Sequence, residues 1–180
     1  LAVASTGVFL VIAYGILERK PMLGVVNVFP ILIAIAYLIG TMRYLGMSLN
    51  ALTATILSIS IGLGIAYSVH TTHRFIDEYN AGASAHEAMV ITLTGTGGAL
   101  LGSMLTTSLG TGALALAITP VLGDFGLLMA ISVAYSFLMA VVALPPAVLL
   151  WERYERAHLF SGFLSRVRGD DGWSSRPLQE

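Results

Sequence analysis

Charged residues divide this chain into long uncharged runs. Asp, Glu, Lys and Arg are absent between Lys20 and Arg43, between Arg43 and Arg74, between Glu87 and Asp124, and between Asp124 and Glu152. Each run exceeds the roughly 20 apolar residues that a helix needs to cross a bilayer. Leu1 to Leu17 is apolar as well. The pattern predicts five helical spans, at about Leu1 to Leu17, Met22 to Met42, Leu49 to Val69, Thr96 to Ile118 and Phe125 to Trp151. The stretch from Ala88 to Gly123 is too long for one untilted crossing, so it is divided at Gly95-Thr96-Gly97-Gly98. Ser84 to Thr94 then becomes a short helix at the membrane surface. The expected fold is all-α: a transmembrane helix bundle over residues 1–151, followed by a tail over residues 152–180.

Composition supports the same class. Hydrophobic residues make up 56% of the 180 positions and charged residues 11%, against roughly 25% charged in an ordinary soluble domain. A net charge of −1 argues against nucleic-acid binding, which leaves a basic footprint. With no cysteine, disulfides and thiolate metal sites are excluded. Leu1 to Leu17 lacks the basic start and small-residue cleavage site of a signal peptide. A first residue that is Leu rather than Met suggests a piece of a longer protein.

Alternating spans place Arg19, Lys20, Arg74, Arg153, Arg156, Arg166, Arg168 and Arg176 on one side and Arg43 alone on the other. Lys and Arg in short loops are retained in the cytoplasm during insertion. The C-terminus is therefore expected in the cytoplasm and Leu1 outside, in the cell membrane. Tyr154, Phe160 and Phe163 among arginines suit a surface helix to about Arg168, with Gly169 to Glu180 disordered.

Three features could carry chemistry. Gly62 and Gly64 in the third span, and Gly95, Gly98, Ala99, Gly102, Ser103, Thr106 and Gly110 along the fourth, give smooth faces. Such faces let helices approach closely in lipid; packing is the plain reading, and a sliding surface or substrate path the sharper one. His70 and His73 stand one turn apart with Tyr67 on the same side. A titratable group in a span is a functional candidate, although near the interface a histidine can simply be hydrated. No third ligand is spaced for a metal, no cofactor is implied, and no nucleophile–base pair supports an intramembrane enzyme. Asp124 is read as the cap of the last span, Pro120 as the end of the one before it, and Pro145-Pro146 as a kink.

Gly62-Leu63-Gly64-Ile65-Ala66-Tyr67-Ser68-Val69-His70, then His73-Arg74-Phe75 and Asp77-Glu78, resembles the fourth-helix motif of resistance-nodulation-division (RND) transporters. The MMPL-like lipid and hydrophobe exporters, related to Patched and sterol-sensing-domain proteins, are the nearest branch. Ser103-Met104-Leu105-Thr106-Thr107, Gly110, Pro120, Phe125-Gly126 and Leu144-Pro145-Pro146-Ala147 extend the likeness over most of the chain. The resemblance implies the five-span block of one half, the second, beside an N-terminal half and an extracytoplasmic domain. It also implies a hydrophobic or lipid-like substrate among membrane lipids, and leaves self-association open.

In one respect the sequence departs from that pattern. Ala66 stands where such transporters commonly place a proton-binding carboxylate, and no Asp, Glu or Lys lies inside any expected span. The resemblance places Tyr67, Ser103, Thr106 and Thr107 around that relay position, and the spacing of His70 and His73 beside Tyr67 adds them to the candidate relay region. Three functions are thereby in play: an exporter coupled to protons mainly through the other half, a lipid sensor or scaffold of the sterol-sensing type, and a translocase accessory of the SecD type.

Overall fold

The structure, a computed structural model, describes residues 2–17 and 21–154. They form α1 (Ala2–Leu17), α2 (Pro21–Tyr44), α3 (Ala51–Asn80), α4 (Ala85–Gly112) and α5 (Pro120–Val142), with one 3-10 turn at Ala113–Leu116 between the last two. The chain turns at Ala143 and is helical again over 144–154. Four segments are long and apolar enough to cross a membrane: Met22–Tyr44, Ala51–Asn80, Ala85–Leu116 and Pro120–Tyr154; Ala2–Ile16 is shorter. The expected surface helix and disordered tail beyond residue 154 lie outside the described residues.

Local chemistry sets where the helices start. Asn50 is extended, accepts from the Thr53 amide at 3.0 Å and donates its own amide to the Thr53 hydroxyl at 2.8 Å. Ser84 and Glu87 make the same reciprocal box at the start of α4, at 3.3 and 3.1 Å, satisfying amides that have no partner inside the helix. Gly46 and Gly82 take φ of +70° and +103° at the turns after α2 and α3, where a side chain would be strained.

Two expectations are corrected. First, α4 runs unbroken through Gly95-Thr96-Gly97-Gly98 from Ala85 to Gly112, so the surface helix is the opening of one long helix. A glycine costs about 1 kcal/mol in an exposed helix in water, but backbone groups in lipid have no water to turn to and stay paired within the helix. Thr92, Thr94 and Thr96 also return their hydroxyls to carbonyls four residues back, at 2.7, 2.8 and 2.6 Å. Second, Asp124 does not cap the last span. Thr119 is the N-cap and Pro120 opens α5 rather than closing the previous helix, a position where its missing N–H is harmless. The break at Ala143 falls just before Pro145-Pro146, whose rings cannot donate to the carbonyls behind them.

α5 is the hub, packing on α2, α3 and α4, while α3 is flanked by α2, α4 and α5, and α1 lies mainly on α2. Apolar attraction alone cannot hold helices together in lipid, so packing and polar bonds set their register. Thr72 of α3 donates to the buried Asn27 side chain of α2 at 2.9 Å. Ser132 of α5 donates to Ser60 of α3. Thr41 and Tyr135 share a hydrogen bond of 2.9 Å between α2 and α5, and Ser108 of α4 donates to the Ala130 carbonyl at 3.2 Å.

Glycine has a packing role at Gly24, which the sequence reading passed over, and at Gly126, which it named only within the resemblance. A Cβ at Gly24 would stand 2.6 Å from the Val11 backbone, and one at Gly126 would stand 2.6 Å from the Leu114 Cβ and the Thr111 carbonyl. A Cβ at Gly64 would make only ordinary contacts, 3.4 Å from Ile31 and 3.5 Å from Ser136. Gly62, Gly98 and Gly102 would meet nothing within 4 Å. At these three positions an added side-chain carbon would touch none of the other described helices.

Candidate functional site: a groove between two helices

The residues named for the relay lie along a lengthwise groove of about 570 Å³ between α3 and α4. From α3 it takes Ala66, Tyr67, His70, His73, Arg74 and Asp77, and from α4 it takes Thr96, Ser103 and Thr107. Steps of three and four residues put each set on one helix face. A second groove, about 350 Å³, runs on the far side of α3 against Phe9, Leu10 and Tyr14 of α1. Ala66, His70 and His73 line both grooves. They form a ridge that none of the other described helices covers.

Each side chain has a distinct setting. Tyr67 is buried, its ring edge-on to Phe137 of α5 at 6.1 Å, which fixes the ring between groove and core. His73 lies 6.3 Å from the Tyr14 ring at a tilt of 37°. His70, His73 and Asp77 are exposed along the ridge, and Arg74 pairs with Glu78 one turn on. Ser103 opens into the groove, and Thr107 is half-buried at its side. Thr106 does not join them: it is exposed, and its hydroxyl donates to the Gly102 carbonyl at 2.8 Å. The groove thus brings together six of the seven relay candidates. It contains hydroxyls and imidazoles able to hold water or exchange protons, with alanine at the centre. No group of three or more His, Cys, Asp or Glu side chains able to hold a metal occurs among the described residues.

Sequence reasoning missed the polar pairs. Asn27 is the sole amide side chain in α2, and an amide buried in lipid calls for a partner, so it could have been flagged. Which residue answers it, 45 positions away, depends on how the helices are arranged.

The fold defines a polytopic membrane helix bundle with histidines and hydroxyls set along a groove between α3 and α4. The chain belongs to the MMPL family of RND-type membrane proteins, whose pattern it matches over residues 3–167. It is also similar to a Methanocaldococcus jannaschii chain named as a membrane protein, MJ1562, with 30% identity over 152 residues, covering 84% of this chain and 38% of that protein. The chain therefore spans well under half the length of that relative. No solved structure matches it.

Proposed function

We propose that this chain is the transmembrane block of one half of an RND-type exporter of hydrophobic or lipid-like molecules, coupled to a proton gradient through a carboxylate of the other half. One observation carries the reading. α4 is the least apolar of the four crossing segments and also the least covered, with 17% of its crossing stretch buried against 44% in the segment begun by α5. A helix that faced only lipid would be expected to be the most apolar, since hydroxyls and small residues in membranes sit against protein or water. The groove and the bare face of α4 accordingly suit a second bundle, the N-terminal half, with Ser103, Thr107 and Tyr67 hydrogen-bonding to water or to the incoming carboxylate. The block's task is then mechanical: it passes movement to an extracytoplasmic domain. Its place is the cell membrane with the C-terminus in the cytoplasm, as the Lys and Arg distribution supports.

The test is efflux by the full-length protein in liposomes under an imposed proton gradient. Tyr67→Phe and His70→Ala are expected to slow transport a few-fold, and removal of an Asp in the upstream half to abolish it, because alanine at position 66 cannot carry a proton. Abolition by His70→Ala together with a dispensable upstream Asp would make histidine the relay. A second reading, a lipid sensor without transport, draws on that same alanine. It takes first place if the wild-type protein moves nothing under a gradient yet binds sterol or another lipid. Reporter fusions test the orientation: a cytoplasmic signal near Arg43 would overturn it.

A further inference from the structure

A separate cavity lies at the first turn of α4, at the end of the bundle that holds the α3–α4 turn. It measures about 520 Å³ and is walled by Ala85 and His86 of α4 and by Pro146, Leu149, Leu150, Glu152 and Arg153 of the segment after the Ala143 turn. Its lining is split. Pro146, Leu149 and the largely exposed Leu150 form an apolar wall, while His86 and Arg153 form a polar rim, both exposed. The acid in the lining is engaged elsewhere: Glu152 is buried and accepts from the Tyr79 hydroxyl at 3.1 Å. Arg153, one residue on, has no ion-pair partner among the described residues. Trp151 and Tyr154 flank it in sequence at the end of the apolar segment Pro120–Tyr154, and aromatic residues in that position mark the headgroup level.

We infer that this cavity is a binding site for a membrane phospholipid, with the phosphodiester held by Arg153 and His86 and an acyl chain laid along Pro146, Leu149 and Leu150. Arginine suits phosphate because its planar fork stays charged and donates two parallel hydrogen bonds. Basic pockets between spanning helices hold headgroups in this way. The Pro145-Pro146 break gives the site its shape, because it sets the last helical segment apart from α5 and leaves its apolar side beside the first turn of α4. The inference needs the membrane placement of the chain, and it stands whether or not the protein transports anything.

Native mass spectrometry of the delipidated full-length protein in detergent is the test. Phosphatidylglycerol, phosphatidylethanolamine and diacylglycerol of identical chains are titrated in separate runs, and inorganic phosphate is added as a competitor. The expected result is one saturable adduct with either phospholipid, none with diacylglycerol, and no displacement by millimolar phosphate. Arg153→Gln should weaken that adduct about tenfold, the size of one charge-assisted contact, and Arg153→Gln with His86→Gln should remove it. Arg153→Lys should retain part of the affinity, and Arg43→Gln, at the other end of the bundle, all of it. Equal binding of diacylglycerol, displacement by free phosphate, or unchanged binding in the double variant would each overturn the site.

Discussion

α5 and α4 are neighbours of similar length, yet the bundle treats them oppositely. α5 buries Gly126, Leu128, Met129, Ser132, Val133, Ser136 and Ala140 along most of its length. α4 buries only Ala88, Met89 and Thr92, all in its first turns, and leaves Leu101, Leu105 and Leu109 exposed. Both carry small and hydroxyl residues. In α5 these meet α3 and the turn after α4; in α4 they mostly bond back to their own helix or face outward. The contrast teaches that a glycine- or serine-rich face in a membrane helix is a capacity for contact. Whether it is used within the same block depends on where the neighbouring helices lie.

The largest effect that would break this contrast is expected at Gly126. A side chain there has no room against Leu114 and Thr111, so Gly126→Val should destabilise the protein by about 1–3 kcal/mol, the usual range for overpacking, seen as a lower melting temperature in detergent. An unchanged melting temperature would mean that the turn after α4 does not lie on α5 as described. A smaller loss is expected from the buried polar pairs. A double-mutant cycle on Asn27→Leu and Thr72→Val should give a coupling of about 0.6 kcal/mol and at most about 1.7, the values found for such bonds between membrane helices; no coupling would remove the pin between α2 and α3. The smallest effect sharpens the comparison most. Gly98→Leu meets no neighbour here, so stability of this block alone should change by no more than about 0.5 kcal/mol. In the full-length protein the same substitution should reduce activity if the bare face of α4 meets another bundle. A full-length protein indifferent to Gly98→Leu would show that this face meets only lipid.

Much of the fold was legible because charge is so costly inside a bilayer that its absence marks each crossing. α1 and α2 agree with the expected spans to within a few residues. The face each helix turns to its neighbours was harder to read, since lipid and protein interior are both apolar and leave no amphipathic period. That is why Gly98 and Gly102 stood out in the sequence while Gly24 and Gly126 make the close approaches. The break at Gly95 answered a stretch too long for one untilted crossing, yet α4 stays one helix through it because backbone groups in lipid have no alternative partner. Pro120 can end one helix or begin the next, and the sequence reading took it as an end where it begins α5. The groove was more readable: Tyr67, His70 and His73 share a side of α3 by spacing, and the resemblance added Ala66. Thr106 was grouped with Ser103 and Thr107 by the resemblance, but the turn of α4 carries it round to the outside.

The length of α3 has a further consequence. Its 30 residues run without a proline or a break, a rod of about 45 Å at 1.5 Å per residue, some 15 Å longer than the hydrocarbon layer. Ser60 ties it to Ser132 of α5 near the first third of its length. If that bond serves as a fulcrum, the 17 residues from Ser60 to Asp77 are a lever of about 25 Å. A pivot of only about 10° would then swing the Asp77 end sideways by about 4 Å, more than the width of a water molecule, without any residue of the helix changing its backbone angles.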